Sequence, residues 1–478
     1  MSTTTRRCGL CIIGAGSGGL SVAAGAAQLG VDVVLIEKGA MGGDCLNTGC
    51  VPSKALLAAA KAAQAHRSSE ALGVKAHEPH VDYQRVQAHV HQAIAQIAPH
   101  DSVERFEGLG AEVIQGQARF IDDRRVVVND QTIQAKRFVV ATGSQPVIPP
   151  IEGLDPDKAL THEDIFSLEQ TPEHLIIIGA GPIGMEMAQA HRRLGINVSV
   201  IEKDQPLPAA EPEHAERVCE ALRREGVELY SQATIERVTH GPGEVRVALH
   251  ADNAPQLITG SHLLVAAGRR PQIDGLGLDR AGVEHDAAGI VIDRHLKTTN
   301  KRIFAIGDVA HGPHFTHWAG YQAGVVIKQA VFKMGWAKAD ASALPWVTYT
   351  DPELAQVGLT EAKAREAHGD KVKVVRWSMA ENDRAVAEGG GSGEVKVVAT
   401  PKGRILGVSL VGPHAGELIA PWTLMISQGL KIGAMAQVIS PYPTLGEISK
   451  RAAGSWYTPS LFSDKTRRLV RLLAKLPF

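Results

Sequence analysis

Cysteine is scarce in this chain: five in 478 residues, at Cys8, Cys11, Cys45, Cys50 and Cys219. So low a density excludes a disulfide-stapled secreted scaffold and fits a functional pair in a reducing, cytoplasmic compartment. Aromatic residues make up only 4%, which argues against a base-stacking surface. Charge of neither sign predominates: 50 basic against 51 acidic residues, net −1, leaves no broad nucleic-acid footprint. No uninterrupted apolar run is long enough to span a bilayer. The opening MSTTTRRCGLCIIGAGSGG imitates a signal peptide, but its apolar run enters a glycine loop without an A-x-A-like cleavage site and reads as a first strand. Low-complexity tracts are absent too. Glycine, by contrast, is abundant at 49 residues, the mark of many tight turns or close backbone approaches to ligands. The length suits about three domains.

Two copies of one module organise the chain. LCIIGAGSGGLSVAAGAAQLGVDVVLIEK reads as a strand, a G-x-G-x-x-G turn at Gly14, Gly16 and Gly19, a helix, and a second strand ending at Glu37. LIIIGAGPIGMEMAQAHRRLGINVSVIEK repeats it with Gly179, Gly181, Gly184 and Glu202. Such glycines let the backbone approach a pyrophosphate at a helix N-terminus, and the closing acid can take a ribose 2′-hydroxyl. One such loop is weak evidence. Two complete units with the acid correctly placed predict two dinucleotide sites, one for a bound flavin dinucleotide (FAD) and one for an exchangeable nicotinamide.

The modules divide the chain. FVVATGSQPVIPPIEGL, with Gly143, closes the first near Pro150, and LLVAAGRRPQIDGLG, with Gly268, closes the second near Arg270. RIFAIGDVAHG is a further strand ending in Asp308. From about Trp346 alternating strand-like runs give way to helices, an α+β pattern. The expected domains are residues 1–150 and 151–272 for the flavin and nicotinamide dinucleotides, 273–345, and the α+β domain 346–478.

The cysteines of GGDCLNTGCVPSK pose the chemical question. In a regular helix residues five apart have Cα atoms about 8.7 Å apart, whereas a disulfide needs less than about 7 Å. A bond between Cys45 and Cys50 therefore demands a break, which Asn47 and Gly49 can supply, with Pro52 suiting the first turn of the next helix. Cys50 then sits at that helix's N-terminus, where the dipole favours a thiolate, with Lys54 one turn on along the same face. A zinc half-site would need further Cys or His ligands at suitable spacing; none is found, so no metal is expected.

These stretches, with YTDPELAQVGLTE and YPTLGE, resemble the flavin-dependent pyridine nucleotide–disulfide oxidoreductases: dihydrolipoamide dehydrogenase, glutathione reductase and mercuric reductase. The resemblance covers nearly the whole chain. It implies that Gly14, Gly16, Gly19 and Glu37 hold the adenosine end of FAD with Ala118 near the adenine. It further implies that Asp308 takes the ribityl chain, that Thr316 and His317 flank the pyrimidine, and that Lys54, partnered by Glu186, lies near flavin N5. Cys50 would be the charge-transfer thiol and Cys45 the interchange thiol. Hydride would pass from nicotinamide to FAD and on through the pair to a thiol or disulfide substrate, free or protein-bound, or in reverse. The resemblance also implies that residues 273–345 complete the FAD site and that 346–478 forms a dimer. The active form would be a homodimer in which one subunit's C-terminal domain completes the other's site. At Glu202 a carboxylate repels a 2′-phosphate, so NADH is expected over NADPH despite Lys203.

One position departs from the pattern. SPYPTLGE retains Glu447 but has Tyr442 where the dihydrolipoamide and glutathione enzymes carry their catalytic histidine. A phenol of pKa about 10 is a poor base at neutral pH. Mercuric reductases carry a tyrosine here, yet LVRLLAKLPF lacks their cysteine pair, and an N-terminal metal-binding domain is not expected. Three readings follow: a dihydrolipoamide-dehydrogenase-type enzyme, a mercuric-reductase-like enzyme acting on a metal ion or another electrophile such as a quinone, and a degenerate flavoprotein serving as a binding subunit. His314, His317 and His414 read as ordinary surface or core histidines, with a substitute base the alternative. The amphipathic tail SDKTRRLVRLLAKLPF reads as packing on its own domain or a dimer mate, with docking to an acidic partner or membrane surface the alternative.

Overall fold

The computed structural model describes residues 4–476, in two compact units. The first takes the chain up to Lys61 with His80–Lys203 and Gln232–Ala341. The second takes Ala62–Pro79, Asp204–Ser231 and the chain from Ser342 on.

In the first unit a seven-stranded sheet runs in the order Ala111–Gln115, Val33–Glu37, Thr4–Ile13, Gln131–Val140, Arg125–Val128, Arg119–Phe120, with Ile303–Ala305 also paired to Gln131–Val140. Thr4–Ile13 is parallel to both neighbours, and Ile303–Ala305 is parallel to Gln131–Val140. Both faces of this central part are covered, so its strands are continuous apolar runs: Val33, Val34, Leu35 and Ile36 are all buried. The short strand ending before Asp308 thus enters the first module's sheet from far along the chain.

The second module repeats the plan. His174–Ile178 pairs in parallel with Asn197–Ile201 on one side and His262–Val265 on the other, with Pro182–Arg193 as the crossover helix. An antiparallel three-stranded sheet, Thr234–Gly241, Glu244–Ala251 and Ala254–Gly260, is inserted before the last strand. The two glycine-centred closing passages pair with each other: Ser144–Pro146 lies antiparallel to Arg269–Pro271.

The second unit is built on a five-stranded antiparallel sheet, Pro345–Thr348, Glu353–Gly358, Ile405–Gly412, Glu394–Ala399 and Lys373–Ser378. Trp422 is fully buried against this sheet's apolar core and donates its indole N–H to Ser449 Oγ at 2.9 Å. The helix Pro212–Arg224 belongs to this unit. Glu211, just before it, meets the buried Lys396 ammonium at 2.8 Å, and Glu213 and Glu361 approach the same ammonium at 2.7 and 2.8 Å. Three carboxylates compensate a cation that would otherwise be costly to bury, and they hold the helix to the sheet. The fold is therefore two Rossmann-like modules followed by an antiparallel α+β domain. The tail forms the helix Asp464–Leu473, capped by Ser463, and none of its side chains is buried within the chain.

Candidate active site

The chain breaks where the cysteine pair requires it. A five-residue helix, Gly43–Asn47, carries Cys45 and ends at Thr48; a second helix, Cys50–Ser68, begins at Cys50 itself. Gly49 turns the chain between them, where an added Cβ would lie 3.0 Å from the Asp44 carbonyl oxygen. Cys45 and Cys50 are both free thiols, Cys50 the more exposed. Cys50 Sγ lies 3.3 Å from Thr316 Oγ1, at the start of the helix Thr316–Ala330, so two helix N-termini meet at this sulfur.

The two thiols are driven apart in acidity. The Cys45 hydrogen bond, then the Thr316 hydroxyl and the Lys54 charge, bring Cys50 down to about 6 against the opposing effect of burial. Cys45 goes far up, because it donates to Cys50, is partly buried and faces the Cys50 charge. At neutral pH the pair carries one thiolate, on Cys50, and one proton, on Cys45. Lys54 Nζ lies 2.7 Å from Glu186 Oε2, a carboxylate buried on the second module's helix.

A polar chain unforeseen from sequence runs beside the pair. Asp44 Oδ2 accepts from Arg269 Nη2 at 2.8 Å, and Asp44 Oδ1 lies 3.0 Å from His162 Nε2. Arg269 also donates from Nε to Ser144 Oγ at 2.8 Å and from Nη2 to the Ser144 carbonyl at 3.0 Å. Ser144 in turn donates to Asp308 Oδ2 at 2.8 Å. Asp44, Arg269 and Ser144 all stand inside motifs already singled out, GGDCLNTGC, AAGRRP and ATGSQP; charge beside a cysteine was the only available signal. His162 had none.

The residues of both glycine loops fit a dinucleotide. Gly14 and Gly179 sit at φ +104° and +107°, in the left-handed region. Any Cβ on Gly19 would stand 1.8 Å from the Gly14 carbonyl oxygen, and one on Gly184 would stand 2.0 Å from that of Gly179. The helices that follow have neither a side-chain cap nor an acid in the first turn, leaving their first N–H groups for an anion. Glu37 accepts from the Ala15 and Gly39 N–H groups at 2.6 and 2.7 Å, and Glu202 accepts from Ala180 N–H at 2.7 Å. Each strand-end acid thus accepts from backbone N–H groups of its own module. Gly116 N–H donates to the Glu37 carbonyl, and the buried Ala118 follows two residues after Gly116. Gly143 and Gly268 hold φ +72° and +123° where the two closing passages turn.

Tyr442 and Glu447 lie in the second unit. Tyr442 is 68% exposed and donates from Oη to Asp383 Oδ2 at 3.0 Å. That hydrogen bond and the Asp383 charge push its pKa up. Glu447 opens the helix Glu447–Ser455. His314 and His317 are exposed, His317 stacked on Phe315, and His414 caps the short helix Ala415–Leu418 in a left-handed conformation.

Residues 9–323 match the model of the pyridine nucleotide-disulphide oxidoreductases, and residues 344–453 match the dimerisation domain of the same family. The chain belongs to the pyridine nucleotide-disulphide oxidoreductase family. Its relatives include a mercuric reductase of Streptomyces lividans, 35% identical over 93% of this chain and 95% of that one. A dihydrolipoyl dehydrogenase of Thermus scotoductus is 36% identical over 93% and 96%. The solved HOCl-induced flavoprotein disulfide reductase RclA of Escherichia coli, as its Cu(II) complex, is 28% identical over 95% of this chain and 100% of that one, with TM-score 0.83. Members of this pyridine nucleotide-disulphide oxidoreductase family are FAD-dependent and use NAD(P)H. The matched dimerisation domain supports a homodimer. No helix among the described residues is long and apolar enough to cross a membrane, and no cluster of three or more His, Cys, Asp or Glu among them could hold a metal ion.

Proposed function

We propose that this family member is an NADH-linked reductase that passes electron pairs through Cys45 and Cys50 to a thiophilic acceptor. FAD, when bound at the first module, supplies the two-electron relay between nicotinamide and disulfide. Cys50, its charge supported by Thr316 and Lys54, is the thiol proposed to face the flavin; Cys45, holding the proton, is the one that meets the acceptor. Lys54 is held in place by Glu186. Gly14, Gly16, Gly19, Glu37, Ala118, Gly143, Asp308, Thr316 and His317 are the residues proposed around FAD. Gly179, Gly181, Gly184, Glu202 and Gly268 are those proposed around the nicotinamide nucleotide, where the Glu202 carboxylate favours NADH over NADPH. In the homodimer Tyr442 and Glu447 of one subunit are proposed to serve the thiols of the other.

The observation that carries the choice of acceptor is the Tyr442–Asp383 hydrogen bond. A carboxylate that accepts the phenol's proton stabilises the neutral phenol, so Tyr442 cannot serve as the base that frees Cys45 at neutral pH. Exchange with an ordinary disulfide then stalls on the Cys45 proton. A soft cation or strong electrophile supplies its own driving force, since binding at sulfur expels that proton. Such an acceptor takes two electrons as the two thiols close to the disulfide. Dihydrolipoyl dehydrogenase chemistry is the second reading, favoured by the 36% identical relative of that name and by the retained Glu447.

A pH–rate profile separates the two. Dihydrolipoamide oxidation is expected to be weak at pH 7 and to rise steeply above about pH 8.5, as the substrate thiol ionises unaided. Tyr442→His, with a base restored, should raise the neutral rate at least about tenfold. Hg²⁺-dependent NADH oxidation should instead be substantial in wild type at pH 7. A fast, flat dihydrolipoamide profile from about pH 6.5 to 8 in wild type would overturn the first reading and establish the second.

A further inference from the structure

We infer that Arg269 and Asp44 form a charge-balanced clamp by which the exit strand of the nicotinamide module holds the dithiol helix and sets the proton affinity of Cys50. The inference rests on the proposed role of Cys50 as the thiolate facing the flavin and names the residues that regulate it.

The geometry is that of an anchored ion pair, not a chance surface contact. Exposed salt bridges contribute little because two long side chains must be ordered to make one weak contact. Here the ordering is already done. Arg269 is fixed by the Ser144 hydroxyl and carbonyl, its side chain is only 19% exposed, and Ser144 is itself bonded to Asp308. Asp44 is fixed from three directions: Arg269 on Oδ2, His162 on Oδ1, and the Thr48 hydroxyl on Oδ1 at 2.5 Å. Burial pulls Asp44 up, but the His162 hydrogen bond and the Arg269 charge prevail and hold it at about 2. It is therefore ionised throughout the working range.

Asp44 is the residue immediately before Cys45, on the same short helix, and its charge opposes ionisation of both thiols. The groups facing Cys50 are few: Cys45 and Asp44 from the short helix, Lys54 from its own helix, Thr316 from the helix Thr316–Ala330. Of these Lys54 is committed to Glu186 and Thr316 is neutral. Arg269 is thus the permanent cation beside Asp44, its Nη1 also 2.6 Å from His162 Nε2, the titratable group that touches both, and it stands one residue beyond Gly268 at the exit of the nicotinamide module. A shift of that strand would alter the net charge felt by the thiolate, coupling the nucleotide module to the dithiol by Coulomb's law alone.

The clamp makes a signed prediction that mere structural support does not. Arg269→Gln leaves the Asp44 carboxylate uncompensated and should raise the midpoint at which the Cys50 thiolate forms. Asp44→Asn leaves the Arg269 guanidinium uncompensated and should lower it. The double variant removes both charges and should return close to wild type. The readout is pH titration of the long-wavelength thiolate–flavin band in the reduced holoenzyme, checked by iodoacetamide alkylation of Cys50 followed by mass spectrometry. Each single change should move the protonation constant at least about threefold, in opposite directions. Arg269→Lys, which keeps the charge, should move it less than Arg269→Gln and serves if the glutamine variant does not fold. Unchanged midpoints, or shifts of the same sign in both single variants, would overturn the clamp. A band that survives Cys50→Ser would overturn the underlying assignment of the thiol instead, so the two failures are distinguishable.

Discussion

At the first loop, Gly14 N–H donates to the Ile36 carbonyl at 2.8 Å, and Ala141 N–H donates to that of Ile13 at 2.8 Å. At the second, Gly179 N–H meets Ile201 and Ala266 N–H meets Ile178 at the same 2.8 Å. What differs is the surroundings. Gly42 N–H donates to the Ala15 carbonyl, and Gly43 packs so tightly that a Cβ on it would stand 2.7 Å from Gly16 Cα. Nothing lies within 4 Å of a Cβ built on Gly181. The dithiol segment thus roofs the first loop, and the second loop stays open. One backbone solution appears twice, and the roof over the first loop supports the proposal that it holds the resident cofactor and the open second loop the exchanging one.

The largest test puts the same steric lesion in both loops. Gly19→Ala and Gly184→Ala each drive a methyl into a carbonyl oxygen of their own loop. The first is expected to yield protein without bound flavin, seen as loss of the yellow absorbance. The second should stay yellow while kcat/KM for NADH falls at least about 100-fold, which is roughly 2.7 kcal/mol. Loss of flavin from Gly184→Ala would break the division of labour between the loops.

A second difference lies in the helices behind the loops. The first module buries Ala26 where the second buries His191. His191 Nδ1–H donates to the Met187 carbonyl at 2.8 Å, and Nε2 faces the Tyr83 hydroxyl at 3.2 Å, so the ring is satisfied as the neutral form. Burial lowers its pKa to about 4. The unfolded chain takes up a proton below pH 6.5 that the folded ring refuses until about pH 4, so stability falls with acid through that window. At pH 5 the loss from this residue is about 1.8 kcal/mol relative to pH 7, roughly a 20-fold drop in the folding constant. Urea titrations at the two pH values should show it. His191→Gln should remove most of the pH dependence, and an equal loss in that variant would assign it to other groups.

The smallest effect concerns the acids that close the modules. NADH should exceed NADPH at least about tenfold in kcat/KM, near 1.4 kcal/mol. Glu202→Gln keeps an acceptor for Ala180 N–H and removes only the charge, so it should erase most of that preference. Glu37→Gln should leave the preference alone. Equal rates with both nucleotides in wild type would refute the repulsion argument.

Much of this was legible in the residues. G-x-G-x-x-G with an acid at the second strand's end dictates loop, helix dipole and acceptor together, because Gly14 and Gly19, like Gly179 and Gly184, answer backbone clashes that no side chain can relieve. The break between Cys45 and Cys50 followed from helix geometry and one glycine, and Cys50 does begin a helix. Other features were not legible. Asp44, His162, Arg269 and Ser144 come from four separate stretches of sequence, and only the pairing of Ser144–Pro146 with Arg269–Pro271 fixes Arg269 beside Ser144, within reach of Asp44. The Tyr442–Asp383 hydrogen bond likewise spans residues with no pattern relating them. Local sequence determined the covalent and backbone logic of this protein, because spacing and φ act over a few residues. Tertiary structure decided which charges face the thiols, because Coulomb energy depends on distances through space that no local pattern encodes.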